Sequence, residues 1–236
     1  MMSHGEKPAM VAALRRGRRA GRRIVLRVST RASARHALVG QAHLWAMKRR
    51  FQFEFLTCRG LRPHHTLLDI GCGTLRGGIP LIEYLHTGHY VGIEARQAVL
   101  MEARRELAEA GLEHKRPRLI HAADPAQVRL ASRVDSAWAF SVLIHTPDDT
   151  VSAYLRFVAR VLTPGGELYA NVILGTGRES TWQGFPVISR SREHYLRLAA
   201  DESLIADELG PLADLGHRSG CSQDEQIMLR FTPACR

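Results

Sequence analysis

The chain has 236 residues, 45% hydrophobic and 24% charged, enough to bury one good core and too short for two large domains. Charged or polar residues break every apolar run before the roughly 20 residues that a membrane span needs, which points to a soluble protein. The net charge of +10 is uneven, because the first 50 residues hold 13 Lys and Arg against one acid whereas the other 186 hold 20 against 22.

Arg15-Arg16-Gly17-Arg18-Arg19-Ala20-Gly21-Arg22-Arg23 repels itself and lacks apolar area for a core. Residues 1–35 therefore read as a flexible basic arm. Such an arm suits nucleic acid or an anionic membrane surface; a plain solvated tail and a transit peptide are open alternatives. From Leu38 to Cys58 the pattern becomes an amphipathic helix, with Leu44, Met47, Phe51, Phe55 and Cys58 on one stripe and Trp45, Lys48 and Gln52 on the next. Gly60 and Pro63 end it. The cysteines Cys58, Cys72, Cys221 and Cys235 are scattered, with no Cys-x-x-Cys pair and no zinc-site spacing, so reduced thiols in a cytoplasmic protein and no metal are expected.

Leu67-Leu68-Asp69-Ile70 reads as a buried strand, Gly71-Cys72-Gly73 as a tight turn, and Gly77 through Ile79, Leu81, Ile82 and Leu85 as a helix stopped by Gly88. Glycines at 71 and 73 allow positive φ and close approach of a ligand to the backbone. Asp69 places a carboxylate at that crevice, which favours a cationic ligand over a phosphate. This stretch resembles the first motif of class I S-adenosylmethionine-dependent methyltransferases, an acidic residue followed by alternating glycines. Asp69, Gly71, Cys72 and Gly73 are then cofactor-binding candidates; the third family glycine falls on Leu75, where the loop is expected to be stiffer. In this family the helix before the first strand lies near the ligand crevice, which makes Trp45 a pocket candidate beside the plain packing reading.

Tyr90-Val91-Gly92-Ile93-Glu94 is a second strand ending in a carboxylate. In a doubly wound sheet it lies beside the first, and an acid there, roughly 20 residues on, hydrogen-bonds ribose hydroxyls; the resemblance implies the same role for Glu94. A helix follows from Ala95 to Ala110. Arg118 to Asp124 reads as strand three, and the resemblance gives Asp124 the adenine amino group, whereas Pro125 behind it suits a helix cap.

Strand four, Val134 to Ser141, leads into Val142-Leu143-Ile144-His145-Thr146-Pro147-Asp148. The segment looks like the family turn that lines the methyl-transfer site, making Ser141 a cofactor-site candidate and His145 a candidate general base. A packing or capping role for His145 is the alternative. A helix carrying Val151, Leu155, Val158 and Leu162 comes next, then Thr163-Pro164-Gly165-Gly166 turns into strand five, Glu167 to Ile173.

Beyond Leu174 the alternation breaks down. A polar, aromatic stretch precedes a helix from Ser191 to Leu204, and the last strand is Gln226 to Phe231. Since acceptor pockets of the family are built by such segments, Arg178, Glu179, Trp182, His194 and Tyr195 are acceptor-site candidates. The resemblance therefore implies an α/β, Rossmann-like three-layer sandwich with a seven-stranded, mostly parallel sheet whose last strand is antiparallel. Residues 36–236 form the methyltransferase domain, divided into an amino-terminal helix (36–60), a cofactor-binding core (61–173) and an acceptor-side segment (174–236). The spacing of Gly40, Trp45, Lys48 and Gln52, with the motif at 68–78, is similar to a bacterial subgroup acting on small molecules or glycans. The expected reaction is S-adenosylmethionine-dependent methylation of a small-molecule or glycan acceptor at oxygen or nitrogen. An RNA or other nucleic-acid methyltransferase using the arm, a non-catalytic cofactor-binding protein and a nicotinamide-dependent oxidoreductase are the rivals.

Overall fold

The computed structural model describes residues 35–176, 179–182 and 184–234. The chain divides into two units, Met1–Ala42 and His43–Arg236. The basic arm, but for Arg35, lies outside the described residues, as do Arg178 and the side chain of Glu179.

The second unit runs α1 (Trp45–Cys58), β1 (Leu67–Ile70), α2 (Gly78–Tyr84), β2 (Tyr90–Glu94), α3 (Gln97–Glu109), β3 (Arg118–His121), β4 (Val134–Ala139), α4 (Asp148–Val161), β5 (Leu162–Val172), β6 (Glu179–Trp182), β7 (Phe185–Ile188), α5 (Arg192–Asp201), β8 (Leu204–Pro211) and β9 (Ile227–Pro233). The main sheet has seven strands in the order β3-β2-β1-β4-β5-β9-β8. The first five in that order are parallel, and β9 runs antiparallel to both β5 and β8. The expected sheet is therefore present, with its antiparallel strand second from the edge.

Side-chain alternation along the strands divides the core in two. Leu68, Ile70, Ala137, Ala139 and Leu168 pack on one side with Val151, Leu155 and Val158 of α4. Leu67, Trp138 and Tyr169 face the other side with Phe51 and Phe55 of α1, Leu81 and Ile82 of α2, and Leu100, Ala103 and Leu107 of α3. That is the three-layer sandwich. Strand β1 is buried at all four positions, as the centre of a parallel sheet covered on both faces requires.

Several boundaries differ from the sequence reading. Helix α1 begins at Trp45 and not at Leu38, and it buries Trp45, Lys48, Phe51, Gln52, Phe55 and Leu56, while Cys58 is exposed. The inward stripe is thus rotated from the expected one, because Gln52 Oε1 accepts the Trp138 indole N–H at 3.0 Å and Phe55 packs on the same indole at 5.4 Å. Strand β3 stops at His121 and β4 at Ala139. Strand β5 begins at Leu162, which pairs with Val134, before a register shift leads to the pair Ser136 and Glu167. The β6–β7 hairpin and β8 were not anticipated.

Candidate functional site

The carboxyl ends of β1, β2 and β4 meet at the glycine turn. Asp69, on the α1 side of β1, is buried, and its Oδ2 accepts the Tyr90 hydroxyl at 2.5 Å. Burial pushes the Asp69 carboxyl up to about 7 against the opposing pull of Tyr90 and Arg76. The Cys72 N–H donates to Ile93 O at 3.0 Å and the Gly73 N–H donates to Glu94 Oε2 at 3.1 Å. Glu94 Oε1 accepts from the backbone N–H and the Nε of Arg96, at 3.0 and 2.9 Å. The turn and the second-strand carboxylate are therefore locked together. Burial pushes the Cys72 thiol well above its ordinary range, so it packs as a neutral group.

Gly71 has φ +68°, and a Cβ there would lie 2.5 Å from Val142 Cγ2. Gly71→Ala is expected to lower stability by about 1–3 kcal/mol through left-handed strain and overpacking. Urea denaturation checks this, and a change under about 0.5 kcal/mol, the range of indifferent surface sites, would show the turn to be pliable. Leu75, where the family glycine is replaced, keeps the left-handed conformation (φ 62°) with its side chain fully buried. Apolar burial there offsets a strain of about 1–2 kcal/mol. Beside it the Thr74 hydroxyl is buried without a hydrogen-bond partner among the described residues.

Of the other candidates, Ser141 has φ +59° and donates its N–H to Asn171 Oδ1 at 2.6 Å, while its hydroxyl accepts from Gln223 Nε2 at 3.0 Å. Asp124 caps the short helix Pro125–Gln127 by accepting from Ala126 N at 2.8 Å, the geometry of its capping alternative. His145 Nδ1 lies 2.7 Å from Pro186 O, so that nitrogen donates to the carbonyl. Its ring stacks on Trp182 at 5.7 Å and meets Phe185 at 6.2 Å. Arg96 in turn lies over Phe185 at 5.4 Å. The β6–β7 hairpin is thus fastened to the ends of both β2 and β4, and desolvation lowers the His145 pKa so that the ring is neutral near pH 7.

The remaining acceptor-site candidates are scattered. Trp45 is buried in α1 with Arg49 over its ring at 5.4 Å. His194 lines an open cleft with Asp148, Gly175 and Thr176, its Nε2 2.9 Å from Asp148 Oδ2. Tyr195 sits in the core and not on a pocket wall, because its hydroxyl serves the buried Arg190 at 3.4 Å. Four residues that sequence reasoning did not single out stand at the site: Thr74, Arg76, Phe140 and Phe185. Arg76, inside the motif, is the one a charge argument would have found; burial lowers its pKa to about 10.

A family model described as a methyltransferase domain matches residues 68–168, from β1 into β5. No curated protein sequence matches the chain. Among solved structures, magnesium protoporphyrin IX methyltransferase from Synechocystis PCC 6803 with bound SAM is similar at a TM-score of 0.59 and 16% identity, over 80% of this chain and 81% of that one. Glycopeptide N-methyltransferase MtfA complexed with S-adenosyl-L-homocysteine gives 0.61 and 16%, over 79% and 89%. The CcbJ methyltransferase from Streptomyces caelestis gives 0.59 and 14%, over 78% and 90%. At these identities the likeness is one of fold.

Proposed function

We propose that the chain is a class I S-adenosylmethionine-dependent methyltransferase whose acceptor is a small molecule or glycan methylated at oxygen or nitrogen. The observation that carries the cofactor site is the bond from the Gly73 N–H to the Glu94 carboxylate at 3.1 Å, which presents turn and acid to one ligand. The buried, unpartnered Thr74 hydroxyl in the same turn fits a group that arrives with the ligand. Support for the acceptor class is the fold shared with proteins named for a porphyrin and a glycopeptide.

Asp69, Gly71, Cys72, Gly73, Glu94, Asp124 and Ser141 would hold the cofactor, which when bound supplies an electrophilic methyl carbon. The chain's own work is to align an acceptor and keep water out. Asp69 and the turn orient the cationic end, Glu94 accepts ribose hydroxyls, and the β6–β7 hairpin closes over the ends of β2 and β4. His145, anchored to Pro186 and stacked on Trp182, holds that hairpin in place.

Calorimetry is expected to show binding of S-adenosylmethionine and S-adenosylhomocysteine and none of NAD; heat with NAD alone would overturn the reading. Labelled methyl transfer into small-molecule, glycan, protein and RNA fractions then identifies the acceptor class. Affinity should also depend on pH. A cationic ligand favours ionised Asp69, so binding tightens as pH rises through about 7 and weakens below it. For the free protein the sign is opposite: the raised carboxyl binds its proton more tightly folded than unfolded, so its contribution to stability falls between about pH 4 and about 7. Equal affinity at pH 6 and pH 8 would remove Asp69 from the site.

A further inference from the structure

The loop between β8 and β9 carries a histidine that the cofactor site does not use. His217 is fully buried, and its Nδ1 lies 2.6 Å from Asp224 Oδ1. Asp224 is held in turn, with Oδ1 accepting from the Ser219 N–H at 2.9 Å and the Ser219 hydroxyl at 2.8 Å, and Oδ2 from the Gly220 N–H at 2.8 Å. These donors outweigh desolvation and lower the Asp224 carboxyl to about 2. An ionised carboxylate only accepts, so the proton sits on Nδ1 and the lone pair on Nε2. Nε2 is buried with no hydrogen-bond partner among the described residues. An acceptor left so costs about 1–3 kcal/mol, which a native site retains for a reason.

Its surroundings belong to the methyl-transfer side of the sheet. The ring meets Phe51 of α1 edge-on at 5.0 Å and Phe140, one residue past β4, at 5.8 Å. Arg76 of the motif lies over Phe140 at 5.9 Å. Gln223, next to Asp224, donates to the Ser141 hydroxyl and so ties the loop to the end of β4. The charged groups bearing on the imidazole are Asp224 of its own loop, Lys48 of α1 and Arg76. Lys48 is buried, and its ammonium makes no hydrogen bond or ion pair among the described residues; Arg76, Cys221 and Asp224 face it.

We propose that His217, oriented by Asp224, is the base that takes the proton from the methyl acceptor, and that Lys48 receives an anionic group, a carboxylate or phosphate, on the same small molecule. This rests on the methyltransferase reading above. The acceptor O–H or N–H bond breaks toward Nε2 while the acceptor lone pair forms the new bond to the methyl carbon. The carbon–sulfur bond breaks with its electron pair going to sulfur, and the proton remains on an imidazolium facing Asp224. Desolvation, helped by Lys48 and Arg76 against the pull of Asp224, lowers the imidazole pKa and keeps the resting ring neutral, as a base requires.

The test uses the full chain and two readouts. Two-bond proton–nitrogen spectra at pH 7 should show His217 protonated at Nδ1 and bare at Nε2. Transfer of a tritiated methyl group from S-adenosylmethionine into the small-molecule fraction of a cell extract is compared for wild type, His217→Gln, Asp224→Asn and Lys48→Met. His217→Gln should lower kcat by about 10²–10⁴ with S-adenosylhomocysteine affinity kept within about threefold. Asp224→Asn should lower kcat and shift the acidic limb of the pH profile. Lys48→Met should raise KM more than it lowers kcat. An unchanged kcat in His217→Gln, a proton on Nε2, or loss of homocysteine-product binding in step with rate would overturn the proposal. A wild type that binds neither sulfur compound sinks the methyltransferase reading itself. If it binds them but labels nothing, the tautomer decides.

Discussion

Arg190→Met is expected to destabilise the folded chain by about 3–5 kcal/mol, the range for removing one partner from a buried charged network. The Arg190 side chain is only 4% exposed. It donates to Asp148 Oδ1 and to Thr146 O, both at 2.6 Å, to Leu143 O at 3.3 Å and to the Tyr195 hydroxyl at 3.4 Å. Asp148 is half exposed and recovers water when the arginine goes, so the ion pair itself contributes little. Most of the loss comes from the buried carbonyls it serves: Thr146 O is left without a donor at about 1–3 kcal/mol, and Leu143 O keeps only the Thr146 N–H at 3.4 Å. Those carbonyls bracket the turn that carries His145, so the hairpin should loosen as well. Arg190→Lys should recover only part of the loss, since one ammonium lacks the planar fork that reaches several acceptors at once. Urea denaturation is the measurement, and a fall below about 1 kcal/mol at constant m would show that water replaces the guanidinium.

What was legible in the sequence follows from how locally each element is specified. Strands β1 and β2 read clearly because each is a short apolar run ended by an acid, and a strand covered on both faces needs little else. Helix α4 read clearly because Val151, Leu155 and Val158 repeat at helical spacing and all face the sheet. Strand β8 did not, because Leu204–Pro211 contains acids, a glycine at a register shift and a proline, and it is a strand only through pairing with β9. Helix α1 was seen but rotated. Its polar Gln52 is inside because Trp138, 86 residues away, supplies the partner for its carbonyl.

The candidate site divides in the same way. Asp69, the glycine turn and Glu94 were visible because their chemistry is written within 26 consecutive residues. The His217–Asp224 pair was not. It occupies a loop without periodicity, and its meaning depends on Phe51, Phe140 and Lys48, which only the fold brings near it. His145 was visible as a residue type, yet its contacts are with Pro186 and Trp182 of a hairpin that the sequence did not announce.

Glu94→Ala is expected to weaken S-adenosylmethionine binding by about 1.5–3 kcal/mol, or roughly tenfold to 150-fold, the value of hydrogen bonds to a charged acceptor. An acid at the mouth of a ligand crevice is ordinarily solvated in the free protein, so that folding would be untouched. The structure alters that expectation. Glu94 is buried and accepts three hydrogen bonds, from Gly73 and twice from Arg96. Alanine therefore also frees the Gly73 N–H inside the turn, and stability should fall by about 1–3 kcal/mol. Two causes of weaker binding are then mixed, a lost ribose acceptor and a loosened turn. Arg96→Ala separates them, since it leaves the carboxylate and the Gly73 bond in place while withdrawing the guanidinium that competes for Oε1. If Glu94 accepts ribose hydroxyls, Arg96→Ala should bind S-adenosylmethionine as tightly as wild type or more so, measured by calorimetry beside Glu94→Ala. Were Glu94→Ala to lose stability and keep its dissociation constant, the carboxylate would be a brace for the turn and the ribose would have to be held elsewhere.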